Sequence, residues 1–280
     1  MNFWGYSPDE VLDQRDPKLL KSFLPVWQFL YDWYFRVETE GWHHIPQQGS
    51  FLLVSSHNGG LASPDLSMFF FDWVRRFGAE RPVYGLMQQE AFTSARMLRS
   101  VARAGAVPAT VRMATAAFKR ESPVLVYPGG AEDLFRPYSR RNEIELAGRK
   151  GFIKLALREN VPIIPLVSVG AHETLVVLTD CKELMSFLRQ FDLVDASTPL
   201  TQIFPIYLGL PWGIGIGFAP NLPLPAKIYT KVCSPIRFER SGREAARDRA
   251  YVDACYQQVY QAMQTSLDDL VARSQQRNFF

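Results

Sequence analysis

A chain of 280 residues, 47% hydrophobic and with a formal net charge of only +3, holds enough apolar material for one large core and gives no charge argument for a nucleic-acid partner. Its three cysteines, Cys181, Cys233 and Cys255, are scattered, which speaks against a disulfide framework and a cysteine-based metal site. No stretch reaches roughly eighteen unbroken apolar residues, so no spanning helix is expected.

The first residues are broken by charge and proline and do not read as a secretory leader, so a cytoplasmic location is expected. Residues 19–35 form an aromatic-rich apolar helix interrupted only by Pro25. Residues 1–40 are read as an amino-terminal helical element that associates with a membrane, and 41–280 as one α/β domain. Residues 35–41 alternate like a short strand. The apolar run 51–54 reads as a buried strand that stops at Ser55-Ser56-His57, and Gly59-Gly60 then turns the chain. Ser63 as N-cap, Pro64 in the first helical position and Asp65 in the first turn predict a helix from 64 to about 77, ended by Gly78. Strands follow at 83–87 and, more briefly, 106–109, with helices at 94–104 and 111–119. The strand 123–127 runs into Pro128-Gly129-Gly130. Beyond it come a helix at 149–158, a strand at 161–169, a strand at 227–233 and a long helix from 243 to about 273. This alternation predicts an α/β fold whose central, largely parallel or mixed sheet is flanked by helices.

Residues 196–226 carry no charge but six prolines, which excludes a regular helix and leaves an apolar wall of a site, a membrane-docking surface or ordinary core. Three strand ends stand out: Ser56-His57, the block from Tyr127 to Glu132, and Ser168-Val169-Gly170. In a parallel sheet they converge at one edge, where open α/β sheets hold ligands.

The order SSHNGG…SPD, LVYPGGAEDLFRP, GRKGFIKLAL, VPIIPLVSVGAHE and GLPWG resembles the glycerolipid acyltransferase superfamily, and within it the branch of diacylglycerol acyltransferase type with its bacterial and plastid relatives. The match covers about two-thirds of the chain. The resemblance implies transfer of an acyl group from acyl-CoA or acyl carrier protein, as co-substrate, to a lipid hydroxyl at a membrane surface, with no metal or organic cofactor. His57 is implied as the general base, with Asp65 orienting it. Seven residues separate the two here against four in the superfamily at large, and Asp65 also fits a helix-start carboxylate. Glu132 stands where relatives that act on phosphorylated acceptors carry an arginine that holds the phosphate. A glutamate there repels phosphate and favours a neutral acceptor: diacylglycerol, monoacylglycerol or a long-chain alcohol. The lysophospholipid or lysophosphatidate acceptor is the alternative.

Gly129 and Gly130 serve either as oxyanion donors or as a tight turn. Arg136, Arg140, Arg141, Arg149 and Lys150 form a basic cluster for the acyl donor's phosphates, acyl carrier protein or lipid headgroups, unless they are a solvated face. His172 is a weaker candidate base, and His43 and His44 read as surface residues. A serine hydrolase would use Ser168, but position 166 is Leu where a nucleophile elbow has glycine. A non-catalytic lipid-binding protein of the same fold is the remaining reading.

Overall fold

The computed structural model describes residues 5–194, 202–211 and 213–277. The chain begins with α1 (Pro8–Leu12) and α2 (Pro17–Phe29), which runs through Pro25 into a single π-helical turn at Leu30–Tyr34. The strands of the main sheet are β1 (Glu38–Glu40), β2 (Leu52–Ser55), β3 (Tyr84–Met87), β4 (Ala106–Pro108), β5 (Val124–Val126), β6 (Ile163–Val169) and β10 (Tyr229–Val232). Between them lie α3 (Pro64–Phe77), α4 (Ala95–Ala102), α5 (Val111–Lys119), α6 (Gly130–Leu134) and α7 (Gly151–Glu159). β7 (Val176–Thr179), α8 (Lys182–Gln190), β8 (Ile206–Gly209) and β9 (Gly213–Ile216) follow β6, and α9 (Gly242–Ala245) and α10 (Arg249–Arg277) close the chain.

The sheet order is β1-β10-β6-β2-β5-β3-β4. From β6 to β4 every pairing is parallel, whereas β10 runs antiparallel to β6 and carries β1 parallel to itself. The sheet is therefore mixed at one edge. β2 explains the centre: both of its faces are apolar, as a strand covered on both sides requires. Leu52 and Val54 point into the larger core with residues of α1, α4, α5, α7 and α10, while Phe51 and Leu53 meet Phe69 and Trp73 of α3 on the other face.

Two sequence expectations change. The single helix expected from 243 is broken: α9 stops at Ala245 and α10 starts at Arg249, laying Val252, Val259, Met263, Leu267 and Leu270 against the core. Ser63 does not cap α3; its backbone is left-handed (φ 36°) and its hydroxyl donates to the Gly60 carbonyl instead. The charge-free run, of which residues 196–201 and Trp212 lie outside the described residues, supplies β8 and β9. With β7 these make a separate three-stranded antiparallel sheet beside the main one.

Candidate active site

β2 pairs in parallel with both β5 and β6, so the three motif-bearing strand ends meet at one edge of the sheet, as the sequence predicts. His57 follows β2 directly. Its ring stacks on Tyr127 at the end of β5, with centroids 3.8 Å apart and planes 16° from parallel. Its backbone N–H donates to Asp133 Oδ2 on α6. Its Nδ1 lies 3.4 Å from Ser63 Oγ. Because the Ser63 hydroxyl hydrogen is committed to the Gly60 carbonyl at 2.9 Å, the serine oxygen is left to accept from Nδ1–H, which leaves Nε2 as the basic nitrogen. Burial pushes the imidazole pKa down to about 3, and the positive charge of Arg136 adds to the effect. The ring is neutral at ordinary pH.

Asp65 is buried in the first turn of α3, but it forms no ion pair with His57 among the described residues. Its Oδ2 receives Asn58 Nδ2 and Ser168 Oγ, each at 3.4 Å, while Oδ1 has no hydrogen-bond partner. Burial raises this carboxyl to about 7, with the nearby Asp133 pushing the same way. The extra residues between His57 and Asp65 form the Gly59–Ala62 turn, and that turn places Ser63, not Asp65, against the imidazole.

Beneath His57 lies a buried polar layer. Asp133 accepts from Ser56 Oγ at 2.7 Å, from the His57 N–H and from Arg136 Nη1. Arg136 also donates to Ser56 Oγ (3.0 Å), Asn58 Oδ1 (2.9 Å) and His172 Nε2 (2.7 Å). Asn58 in turn donates to Ser168 Oγ at 2.8 Å. Burial raises the Asp133 carboxyl to about 7, against the opposing pull of Arg136 and two hydrogen bonds. A buried acid and base this closely joined fix one geometry more than they stabilise the fold, because desolvating both offsets most of their attraction.

This layer corrects one expectation. Arg136 was expected among the donor-binding cations, yet it is only 1% exposed and its guanidinium is held by Asp133, Ser56, Asn58 and His172. It cannot reach a ligand's phosphate. His172 is equally enclosed, accepting from Arg136, and burial holds its pKa well below the usual histidine value. Ser168 bonds Asn58 and Asp65 and meets no imidazole among the described residues, so it lacks the base a nucleophile needs. His44 is tied to the Val232 carbonyl at 3.0 Å and to Ser234 at 3.2 Å, a structural role rather than a free surface one.

The other basic residues are partly exposed and paired. Arg140 bonds Glu143 and Glu145, Lys150 bonds Asp253 at 2.7 Å, and Arg141 lies 3.9 Å from Glu173 and over the Tyr138 ring. Arg149 donates to the Pro128 carbonyl at 2.8 Å and lies 3.7 Å from Glu132, which also pairs with Lys182. Gly130 has φ 59°, and a Cβ there would lie 2.3 Å from Arg149 Nη1; a Cβ on Gly129 would lie 2.3 Å from the Glu145 carbonyl oxygen. Close packing therefore suffices to explain both glycines. Sequence reasoning placed Tyr127 at a site strand end without its stacking on His57, and it gave no role to Asn58 or Asp133. The signal for the last was the Asp133–Arg136 spacing of one helical turn just after the glycine pair.

A family profile described as Acyltransferase matches residues 36–169, the stretch that holds β1 to β6 and the whole polar layer except His172. The crystal structure of the 1-acyl-sn-glycerophosphate (LPA) acyltransferase PlsC from Thermotoga maritima has the same fold, with a TM-score of 0.51 over 91% of this chain and 81% of that one, at 16% identity. Over residues 36–169 this chain is thus similar to the acyltransferase family, and its fold is that of PlsC. Uncharacterized proteins of Mycobacterium tuberculosis and Mycobacterium bovis are each 29% identical to it over 98% of this chain and 72% of their own length. Phytyl ester synthase 1 of Arabidopsis thaliana is 23% identical over 61% of this chain and 25% of its own length. The stretch matched by the acyltransferase profile carries His57 and the glycine pair.

Proposed function

We propose that the protein transfers an acyl group from a thioester, acyl-CoA or acyl carrier protein, to the hydroxyl of a neutral lipid, with His57 as general base. The observation that carries the neutral acceptor is the state of the cations around the site. Glu132 pairs with both Arg149 and Lys182, and Arg136 is buried on Asp133, so each of these positive charges already has its counter-ion. A phosphorylated acceptor would have to displace a carboxylate to be held; an alcohol would not. The Arabidopsis phytyl ester synthase similarity, to a protein named for making an ester of an alcohol, favours the same reading.

In the proposed reaction Nε2 of the neutral imidazole takes the proton as the acceptor oxygen attacks the thioester carbonyl, and the imidazolium returns it to the leaving thiolate. The polar layer fixes the loop that carries the base: Asp133 holds the His57 peptide N–H and Tyr127 covers one ring face. Backbone N–H groups at Gly129 and Gly130 support the oxyanion, and Asp65 influences the base through the buried network rather than by direct contact. Arg140, Arg141, Arg149 and Lys150 form the donor-side or headgroup-side rim.

Two apolar surfaces suit work at a membrane, with residues 1–40 as part of the docking element. On α2 and the turn after it Phe23, Val26, Phe29 and Trp33 are exposed, and on the small sheet Leu208, Ile214 and Ile216 are. No helix among the described residues is long and apolar enough to cross a membrane. With purified protein and labelled acyl-CoA, diacylglycerol or a fatty alcohol should be acylated far faster than lysophosphatidate. His57→Ala should lower the rate by about 100-fold or more without loss of folding, the usual scale of a general base. Preference for lysophosphatidate would refute the acceptor assignment, and an active His57→Ala would refute the base.

A further inference from the structure

Asn221, between β9 and β10, is only 8% exposed, and both its amide nitrogen and its amide oxygen are buried without a hydrogen-bond partner. Buried polar side chains in native proteins are almost always satisfied, so an amide with both ends unmet calls for an explanation. The backbone around it is fixed on either side. Leu222 N–H donates to the Leu210 carbonyl at 2.8 Å and Leu224 N–H to the Thr174 carbonyl at 2.9 Å. The amide sits against the turn that carries the base: a Cβ on Gly60 would lie 3.2 Å from Asn221 Oδ1. The Gly60 carbonyl receives Ser63 Oγ, which contacts His57 Nδ1. The sequence neighbours of these two residues, Leu61 and Leu222, are 47% and 60% exposed, so an apolar rim stands beside a polar group.

We propose that Asn221 is a substrate-binding residue of the His57 site and that its amide holds the uncharged polar groups, hydroxyl and ester carbonyl, of the acyl acceptor. This rests on the acyl-transfer reading above. An amide offers a donor and an acceptor without charge, and its complement is a group that also does both, such as an alcohol beside an ester. A phosphate satisfies the NH₂ end only and opposes the carbonyl oxygen with its own negative oxygens. Asn221 therefore selects for the same neutral acceptor that the paired cations permit, by a separate interaction.

The test uses the full chain, palmitoyl-CoA as donor, and dodecanol and diolein in mixed micelles as acceptors, with Asn221→Ala and Asn221→Leu. The expected result is an acceptor KM raised about tenfold, the effect of losing one well-placed hydrogen bond, with donor KM unchanged. Thermal stability should be equal or higher, because an apolar side chain removes an unsatisfied buried amide. A lowered melting temperature with an unchanged acceptor KM would overturn the proposal and make Asn221 a structural residue held by internal water. Calorimetric titration with dodecanol reads acceptor binding without turnover. Weakened dodecanol binding in the variants therefore supports Asn221 even where wild-type turnover refutes the acyl-transfer reading, and unchanged binding overturns it even where turnover is normal.

Discussion

At the scale of single residues, the site is governed by burial acting on a few ionisable groups. Asp65 shows this most simply, since its carboxyl has one oxygen unpartnered and is raised to about 7. A carboxyl whose folded value lies above its unfolded one adds stability that is fully present in acid and is lost as pH rises through the folded value. The unfolded value is near 3.8. The window of loss is therefore about pH 4 to 7. Asp65→Asn removes the ionisation and keeps the size. Its gain in unfolding free energy should be larger at pH 8 than at pH 5 by about 2–3 kcal/mol, from roughly two pH units of unfavourable ionisation. Urea titrations at the two pH values measure it, and an equal gain at both would mean that Asp65 is not held neutral. His57 and His172 act in the opposite sense. Their depressed values favour the fold at higher pH, and that contribution fades as pH falls below the ordinary histidine value.

At the scale of elements, strand ends and the turns that leave them decide where the chemistry sits. β6 ends at Val169, and Gly170 then crosses the entry to β10 with φ 98°. A Cβ there would lie 1.9 Å from the Lys227 carbonyl oxygen, a contact of backbone with backbone that cannot yield as a side-chain tip can. Gly170→Ala is expected to cost roughly 2–4 kcal/mol, combining overpacking with a left-handed backbone. It should also lower activity, because the same strand end carries Ser168 and leads to His172. A urea midpoint within experimental error of the wild type would contradict the close crossing. Gly60 is constrained differently: its φ is 67°, and a Cβ would lie 2.4 Å from Leu175 Cδ2, so the turn after His57 is wedged between β2 and the residue that opens the small sheet.

At the scale of the whole molecule, the distribution of apolar surface sets one end of the protein apart. Tyr34, after α2, donates its hydroxyl to the Pro223 carbonyl at 2.7 Å, joining the amino-terminal helix to the loop that follows the β8–β9 hairpin. Exposed apolar side chains flank that junction on both sides: Phe29 and Trp33 on one, Leu210 and Leu222 on the other. If the proposed acceptor is a lipid of a bilayer, such a face would help the protein reach it, since each isoleucine moved out of water contributes at least about 1.5 kcal/mol. Ile214→Ser combined with Ile216→Ser, at positions 65% and 57% exposed, should lower binding to liposomes by at least roughly tenfold. The melting temperature should barely move, because these side chains leave little packing behind. Unchanged liposome binding would remove the hairpin from the docking surface.

The sequence by itself determined the strands and helices of the central layer and the meeting of the three motif-bearing ends. Both follow from local periodicity and from the rule that parallel strands deliver their carboxyl ends to one edge. The bounds of the helix at 64–77 and its glycine stop were legible, since such signals are local, but the role of Ser63 was not: its hydroxyl turns back to Gly60 instead of capping the helix. Only the tertiary structure decided which charges reach the surface. Arg136 and Arg149 look alike in the sequence, yet one is enclosed by Asp133, Asn58 and His172 and the other reaches the surface beside Glu132. It also decided that Ser63 rather than Asp65 meets His57, and that the charge-free run folds back as a second sheet next to the site. Periodicity records which face of an element is covered; it carries no record of what covers it, because partners distant in sequence meet only when the chain is packed.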